Sequence, residues 1–253
     1  MRTATSSRIP RWVRAIFVAN LVAQSTIIVT GAVVRLTGSG LGCPTWPECV
    51  EGSYTPTARQ EEVFHKYIEF GNRLLTFVLV TVAITVLVAM IINVRSRRRA
   101  GIAQRPAIIV LSVIPFVGTA VQAVLGGVTV LTGLHPLIVS AHFLLSMILV
   151  TAAVALVARS GDPGDQPVTR LAPTPVRFLT WSMVSVAALV VVLGVITTGS
   201  GPHSGDAQSE ARFSYDPQTV AVLHADTVFL FIGLLIGLLV SLMLFNSKLL
   251  SPK

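Results

Sequence analysis

The sequence predicts an all-α integral membrane protein, with six transmembrane helices arranged as a four-helix bundle repeat followed by an incomplete second repeat. Three observations carry this reading. Hydrophobic residues make up 53% of the chain and charged residues 12%, and the mean hydropathy is +0.76, well outside the composition of soluble globular domains. Six stretches reach the roughly 20 mostly apolar residues that a bilayer crossing requires. The basic residues gather on alternate connections, as the positive-inside rule demands.

The first stretch, 16–34, carries Asn20, Gln24 and Ser25. It is too long and too polar for a cleavable signal core and is read as a retained helix. Arg2, Arg8, Arg11 and Arg14 precede it, which sets the N-terminus on the cytoplasmic side. An outer loop, 36–66, follows. It is rich in Gly, Pro and Thr and holds both cysteines of the chain, Cys43 and Cys49.

The second stretch, 67–94, ends in Arg95, Arg97, Arg98 and Arg99, a cytoplasmic signature. The third and fourth, 107–131 and 137–157, are separated by so few residues that they must form a tight antiparallel hairpin, turned at Gly133 and Pro136. A polar linker with Arg159, Arg170 and Arg177 leads to the fifth, 178–197. The sixth, 220–245, returns the chain to the cytoplasmic side, so both termini are cytoplasmic and the protein is expected in the cell membrane. Of the eleven acidic residues, only Asp162 and Asp165 fall in cytoplasmic segments. The net charge of +8 is therefore explained by topology, and a nucleic-acid partner is not indicated.

A weak internal repeat supports duplication. The first helix ends in Thr37-Gly38-Ser39-Gly40 and the fifth in Thr198-Gly199-Ser200-Gly201. Residues 1–157 are read as an N-terminal four-helix half, 158–177 as a cytoplasmic linker, and 178–253 as an incomplete C-terminal half of two helices.

All five histidines, His65, His135, His142, His203 and His224, lie on or near the outer side. His142 and His224 fall roughly 7 to 9 Å below the outer ends of their helices and share one depth. Ionisable groups at that depth are costly and face the protein interior. Haem or metal ligation is one reading, a histidine hydrogen-bonded to a neighbouring helix the other. Neutral imidazole is a good axial ligand for haem iron. Zinc and copper lack a second ligand type here.

His65, Glu69 and Asn72 occupy one face at the outer end of the second helix, with Arg73 adjoining. A carboxylate there is protonated, paired with Arg73 or used in proton transfer. Cys43 and Cys49 bracket Pro44-Thr45-Trp46-Pro47-Glu48 in an oxidising location, where a disulfide competes with two free thiols. The spacing is neither CxxCH nor CxxC, so covalent haem attachment and dithiol redox chemistry of that type are not indicated.

The run from Gly31 through Thr37-Gly38-Ser39-Gly40-Leu41-Gly42-Cys43 to Pro47-Glu48-Cys49 resembles the first outer loop of haem A synthases. The resemblance continues in Ile68-Glu69-Phe70-Gly71-Asn72-Arg73, Gln122 to Gly127, His142-Phe143, Gly201-Pro202-His203 and His224. It implies an oxidoreductase acting on CH or CH2 groups, which oxidises the C8 methyl of haem O to a formyl with oxygen from water and supplies terminal oxidases. It also implies two four-helix halves, the first taking substrate haem O and the second a cofactor haem b. Axial iron ligands would be His142 and His224, Glu69 the catalytic carboxylate, and Cys43 and Cys49 a disulfide pair. In the family's second helix a histidine stands where this chain has Asn72, a variation matching actinobacterial-type members that carry an upstream histidine like His65. His65 then replaces that ligand, or the substrate iron is five-coordinate; Arg73 completes the haem-binding group. The chain ends before the seventh and eighth helices the resemblance calls for. Partners so implied are membrane lipids, a haem O synthase, an electron acceptor and a second copy in a homo-oligomer. Two other readings stand beside it: a noncatalytic haem-b-binding electron-transfer or accessory protein, which dispenses with Glu69, and a small transporter using Glu69 and the histidines as an ion path.

Overall fold

The computed structural model describes residues 8–58, 64–162, 164, 172–202, 205, 206, 209 and 211–250, and from 246 to 250 only the backbone of the helix. Six α-helices follow one another: α1 Arg11–Leu36, α2 His65–Arg99, α3 Pro106–Leu131, α4 Pro136–Gly161, α5 Thr174–Ser200 and α6 Pro217–Leu250. Each is long and apolar enough to cross a membrane. Among the described residues no strand is present beyond one bridge between Val50 and Ser53. The chain is an all-α, multi-pass membrane protein. Hydrocarbon offers a backbone N–H or C=O no partner, so these Val-, Leu- and Ile-rich runs satisfy their own groups as helices.

Proline sets several helix starts, in the first turn of α3, α4 and α5 and at the first residue of α6. It loses nothing there, because its missing N–H has no partner within the helix. The α3–α4 turn differs from the sequence expectation in one detail. It is made by Gly133 and Leu134, both at φ +61°, whereas Pro136 already belongs to α4. Leu134 accepts a left-handed backbone, unusual for a branched side chain, and is buried against Gly40 and Gly205. Helix α2 runs past its apolar stretch to Arg99, since Arg97 turns inward and donates through Nε to the Ala103 carbonyl at 3.0 Å.

The chain forms two compact units. The first contains α1 to α4 together with residues of the 203–211 stretch, and the second contains α5 and α6. In the first, α1 touches α2 and α4, α2 touches α3, and α3 touches α4, so the four helices close into a ring. Its best-buried apolar cluster, with Val13, Phe17, Val86, Ile108 and Leu156, lies toward the arginine-rich end. There Arg105, almost fully buried, donates to the carbonyls of Arg159 and Asp162, both at 3.0 Å, and joins the start of α3 to the end of α4. Gly118 lets α3 and α4 approach closely, because a Cβ there would stand 2.2 Å from Leu149 Cδ2. In the second unit α5 and α6 form an antiparallel pair. Large apolar side chains such as Phe77, Val124, Ile148 and Phe229 face outward, the surface expected of helices solvated by lipid.

Candidate functional site: a clamped disulfide loop and two seated histidines

The end of the first unit that carries the 36–66 loop gathers most of the residues singled out in the sequence. Cys43 and Cys49 are joined in a disulfide with Cα atoms 4.4 Å apart, and both are fully buried. This small closed loop is fastened to α2 by two side chains one turn apart. Glu69, 4% exposed, accepts the Cys43 backbone N–H through Oε2 at 2.6 Å. Its other oxygen accepts from Arg73 Nε at 3.0 Å and Nη2 at 2.6 Å. Arg73 also donates to the carbonyls of Cys43 at 2.6 Å, Thr45 at 2.9 Å and Glu48 at 3.2 Å. Of the three states the sequence left open for Glu69, the structure shows pairing with Arg73. The planar fork of arginine makes this possible, since it aims several donors at once.

The other two members of the α2 face are also engaged. His65, the first residue of α2, shares a hydrogen bond between its Nδ1 and Ser39 Oγ at 2.9 Å, and Ser39 in turn meets Thr37 Oγ1 at 2.7 Å. Ser39 is fully buried. Gly42 makes this approach possible: a Cβ there would lie 2.6 Å from the His65 carbonyl. Asn72 Oδ1 accepts from Thr30 Oγ1 at 2.7 Å, tying α2 to α1. The Trp46 indole covers Gly127 of α3, where a Cβ would come within 2.4 Å of it.

His142 and His224 are held in a common manner, each within its own unit. His142 presents the Cε1 edge of its ring to Gly126 of α3, 3.3 Å from where a Cβ would be. His224 presents the same edge to Gly194 of α5, at 3.2 Å. In both rings Nδ1 is buried and has no hydrogen-bond partner. The backbone at His142 is pinned by Gln122, whose Nε2 donates to the His142 carbonyl at 3.0 Å and to Ser146 Oγ at 2.6 Å. A buried polar atom without a partner is costly, and both rings carry one. Imidazoles so presented fit haem iron, which takes axial nitrogen ligands and brings its other four from the porphyrin. Among the described residues no group of three or more His, Cys, Asp or Glu side chains is placed to hold a metal ion by itself. His203 lies outside the described residues.

The sequence reading carried Ser39, Gly126 and Gly194 only within longer runs and gave no site role to them or to Thr30. The glycines had a signal: each precedes its helix end by about the distance at which the histidine follows the next helix start, so the two meet across the hairpin.

Comparison with known proteins agrees with this arrangement. The model of a family described as cytochrome oxidase assembly protein (COX15-CtaA) matches residues 14–204. "Heme A synthase" of Lysinibacillus sphaericus (strain C3-41) is 34% identical over 147 residues, 58% of this chain and 44% of that protein. "Heme A synthase" of Geobacillus thermodenitrificans is 31% identical over 116 residues, 46% of this chain and 32% of that protein. "Heme A synthase" of Bacillus cereus (strain 03BB102) is 28% identical over 124 residues, 46% of this chain and 36% of that protein. The chain thus spans less than half the length of the curated relatives it matches, and no solved structure matches it. With the family match covering most of the chain, and with the disulfide loop, the α2 carboxylate and the membrane histidines in place, the chain belongs to the haem A synthase family of cytochrome oxidase assembly proteins.

Proposed function

We propose that this protein takes part in haem A biosynthesis by oxidising the C8 methyl of haem O to a formyl group, with water as the oxygen source. Converting a methyl and a water into a formyl releases four electrons and four protons, so an electron acceptor and a proton path belong to the reaction. The observation that carries the proposal is the matched pair of histidines on α4 and α6, each seated against a glycine of the neighbouring helix, in a chain of this family. His142 would hold the iron of substrate haem O in the α1–α4 unit, and His224 that of a haem b in a second half to which α5 and α6 belong. Haem b, when bound, supplies one-electron transfer away from the substrate. The functional division follows 1–157, 158–177 and 178–253.

Glu69 is assigned to catalysis. A carboxylate accepts the protons released from the methyl carbon and stabilises positive charge developing beside it. Its contacts support a stable position: both oxygens are fixed by Arg73 and the Cys43 N–H. His65, Asn72 and Arg73 complete the haem-facing group. His65 is held at Nδ1 by Ser39, which fixes the ring orientation in the way outer partners fix metal-ligating histidines. The protein sits in the cell membrane with both termini cytoplasmic, receives haem O from a haem O synthase and acts as a homo-oligomer.

The deciding experiment is haem extraction and chromatography from membranes of cells that make haem O and carry this chain as their sole candidate synthase. Haem A is the expected product. Haem O alone, with haem b bound to the purified protein, overturns the catalytic reading in favour of an electron-transfer or accessory protein. That second reading has one observation of its own: Glu69 is fully engaged in clamping the disulfide loop, a task independent of turnover. Glu69→Gln separates them, since loss of haem A with haem b retained belongs only to the enzyme.

A further inference from the structure

We propose that Gly126 and Gly194 are positioning residues, each setting the plane and depth of the imidazole on the neighbouring helix. At both places the three nearest atoms to a would-be Cβ are Cε1, Nδ1 and Nε2 of one histidine, with Cε1 foremost and the two nitrogens equidistant, 3.9 Å at Gly126 and 3.8 Å at Gly194. Cε1 is therefore the atom that the methyl would meet, with the methyl position symmetric between the two nitrogens and set to one side of the ring plane. A methyl at 3.2 or 3.3 Å is tighter than ordinary van der Waals contact, so an alanine would push the ring outward or rotate it. The arrangement occurs twice, on α3–α4 and on α5–α6, with glycine on the first helix of the hairpin and histidine on the second. Other helical glycines differ. Gly71 and Gly233 have nothing within 4 Å of a Cβ, Gly118 meets Leu149 and Gly127 meets Trp46, so among the described helical glycines those at 126 and 194 are the ones that face a histidine ring.

This inference rests on the reading of His142 and His224 as haem ligands, and the test separates the two. The full chain is purified from haem-replete cells as wild type, Gly126→Ala, Gly194→Ala, Gly71→Ala, Gly233→Ala, His142→Ala and His224→Ala. Haem per chain is measured from the pyridine haemochrome, and ring orientation from the g values of the low-spin ferric iron. Gly126→Ala and Gly194→Ala are expected to shift the g values and lower haem content several-fold, with Gly71→Ala and Gly233→Ala unchanged. Wild-type spectra and haem content in both seat variants overturn the proposal if the histidine variants lose haem. If the histidine variants keep it, the ligand reading falls and takes the seats with it. Should Gly194→Ala fail to fold, the pair Gly194→Ala with His224→Ala decides. Recovery of folding on removal of the ring shows the ring to be what the methyl meets; continued failure overturns the seat.

A different observation, at the opposite end of the α1–α4 unit, carries a second inference. Arg97 and Arg105 are buried and bound to backbone carbonyls. Arg95 and Arg98, one turn apart, are exposed. They rim a groove of about 340 Å³ whose lining is otherwise mostly apolar, with Met90, Val94, Ile109 and Val113. A guanidinium pair above an apolar furrow between two membrane helices has the chemistry of a headgroup and acyl-chain site. We infer that it holds an anionic phospholipid, its phosphate on Arg95 and Arg98 and a chain along α2 and α3. Delipidated full chain is titrated with phosphatidylglycerol or phosphatidylcholine and read by native mass spectrometry. A several-fold preference for phosphatidylglycerol, lost in Arg95→Gln with Arg98→Gln and kept in Arg99→Gln, is expected. Equal binding of the two lipids, or equal loss in Arg99→Gln, overturns it.

Discussion

Arg73 and Glu69 set the chemistry of the outer end through opposite demands. Glu69 is almost wholly buried and needs a cation; Arg73 brings one and spends its remaining donors on loop carbonyls. Replacing Arg73 by Ala leaves the buried Glu69 carboxylate without its cation and takes the arginine donor from the carbonyls of Cys43 and Thr45, a loss of roughly 3 kcal/mol. A fall in the thermal unfolding midpoint in detergent, with faster amide exchange over 43–49, is the expected result. Outside the membrane helices, Asp216 accepts from Thr219 Oγ1 at 2.6 Å and from its backbone N–H at 2.8 Å, capping the start of α6. These bonds, the side-chain one foremost, hold its pKa below the usual carboxylate value. The cap is therefore complete above the ordinary Asp range and is lost as pH falls through the lowered value. Exchange of the Thr219 amide is expected to speed up in that acidic window and to be faster at neutral pH in Asp216→Ala. The sequence made the residue types legible but not their partners: spacing put His65, Glu69 and Asn72 on one face, whereas Ser39, Cys43 N–H and Thr30 reach them only through the path of the 36–66 loop and the approach of α1.

At the scale of elements, the hydrophobic runs located all six helices, because apolar length is what lipid selects. Their ends were less legible. Helix α2 runs more than one turn further at its arginine end, to Arg99, and the α3–α4 turn is made by Gly133 and Leu134. Composition does not encode close helix approach either, which depends on which glycine faces which side chain. Gly118→Ala should cost about 1 to 3 kcal/mol through overpacking against Leu149, read as a lowered unfolding midpoint. Gly71→Ala, in open space, should stabilise slightly, by about 0.5 to 1 kcal/mol of helix propensity. If both changes act alike, the close contact of α3 with α4 is not what makes Gly118 necessary. Opening the Cys43–Cys49 loop, by Cys43→Ser, removes about 2 kcal/mol of unfolded-state constraint. The predicted readout is a reductant-sensitive midpoint in wild type that the variant lacks.

For the whole molecule, the distribution of charge predicts an orientation. Arginines cluster at the start of α1 and the end of α2, Arg159 stands at the end of α4, and the disulfide loop lies at the other ends of α1 and α2. Single cysteines introduced in Cys43→Ser/Cys49→Ser protein should divide accordingly. Ser53→Cys reacts with an impermeant maleimide from outside intact cells, and Gln104→Cys reacts only after permeabilisation. The reverse pattern would invert the proposed topology. At this scale the family was legible from short motifs, and the sequence reading set 1–157 apart from 178–253; the placement of residues from the 203–211 stretch with the first unit and the doubled glycine–histidine contact needed coordinates, since each pairs residues far apart in the chain.

The clamp on the disulfide loop acts almost entirely through main-chain atoms: one N–H at Cys43 and carbonyls at Cys43, Thr45 and Glu48. Such a hold is indifferent to most side-chain identities but exacting about chain length. Residue 44 should therefore tolerate substitution better than 45 and 48, where Thr45 Oγ1 donates to the Glu48 carbonyl at 2.8 Å and Glu48 Oε2 accepts the Gly52 N–H at 2.9 Å, and Trp46 should not, because its indole fills the space over Gly127. Insertion or deletion of a single residue between the cysteines would move every one of those carbonyls off the guanidinium, so in a library of variants this loop would be permissive in letters and intolerant in spacing.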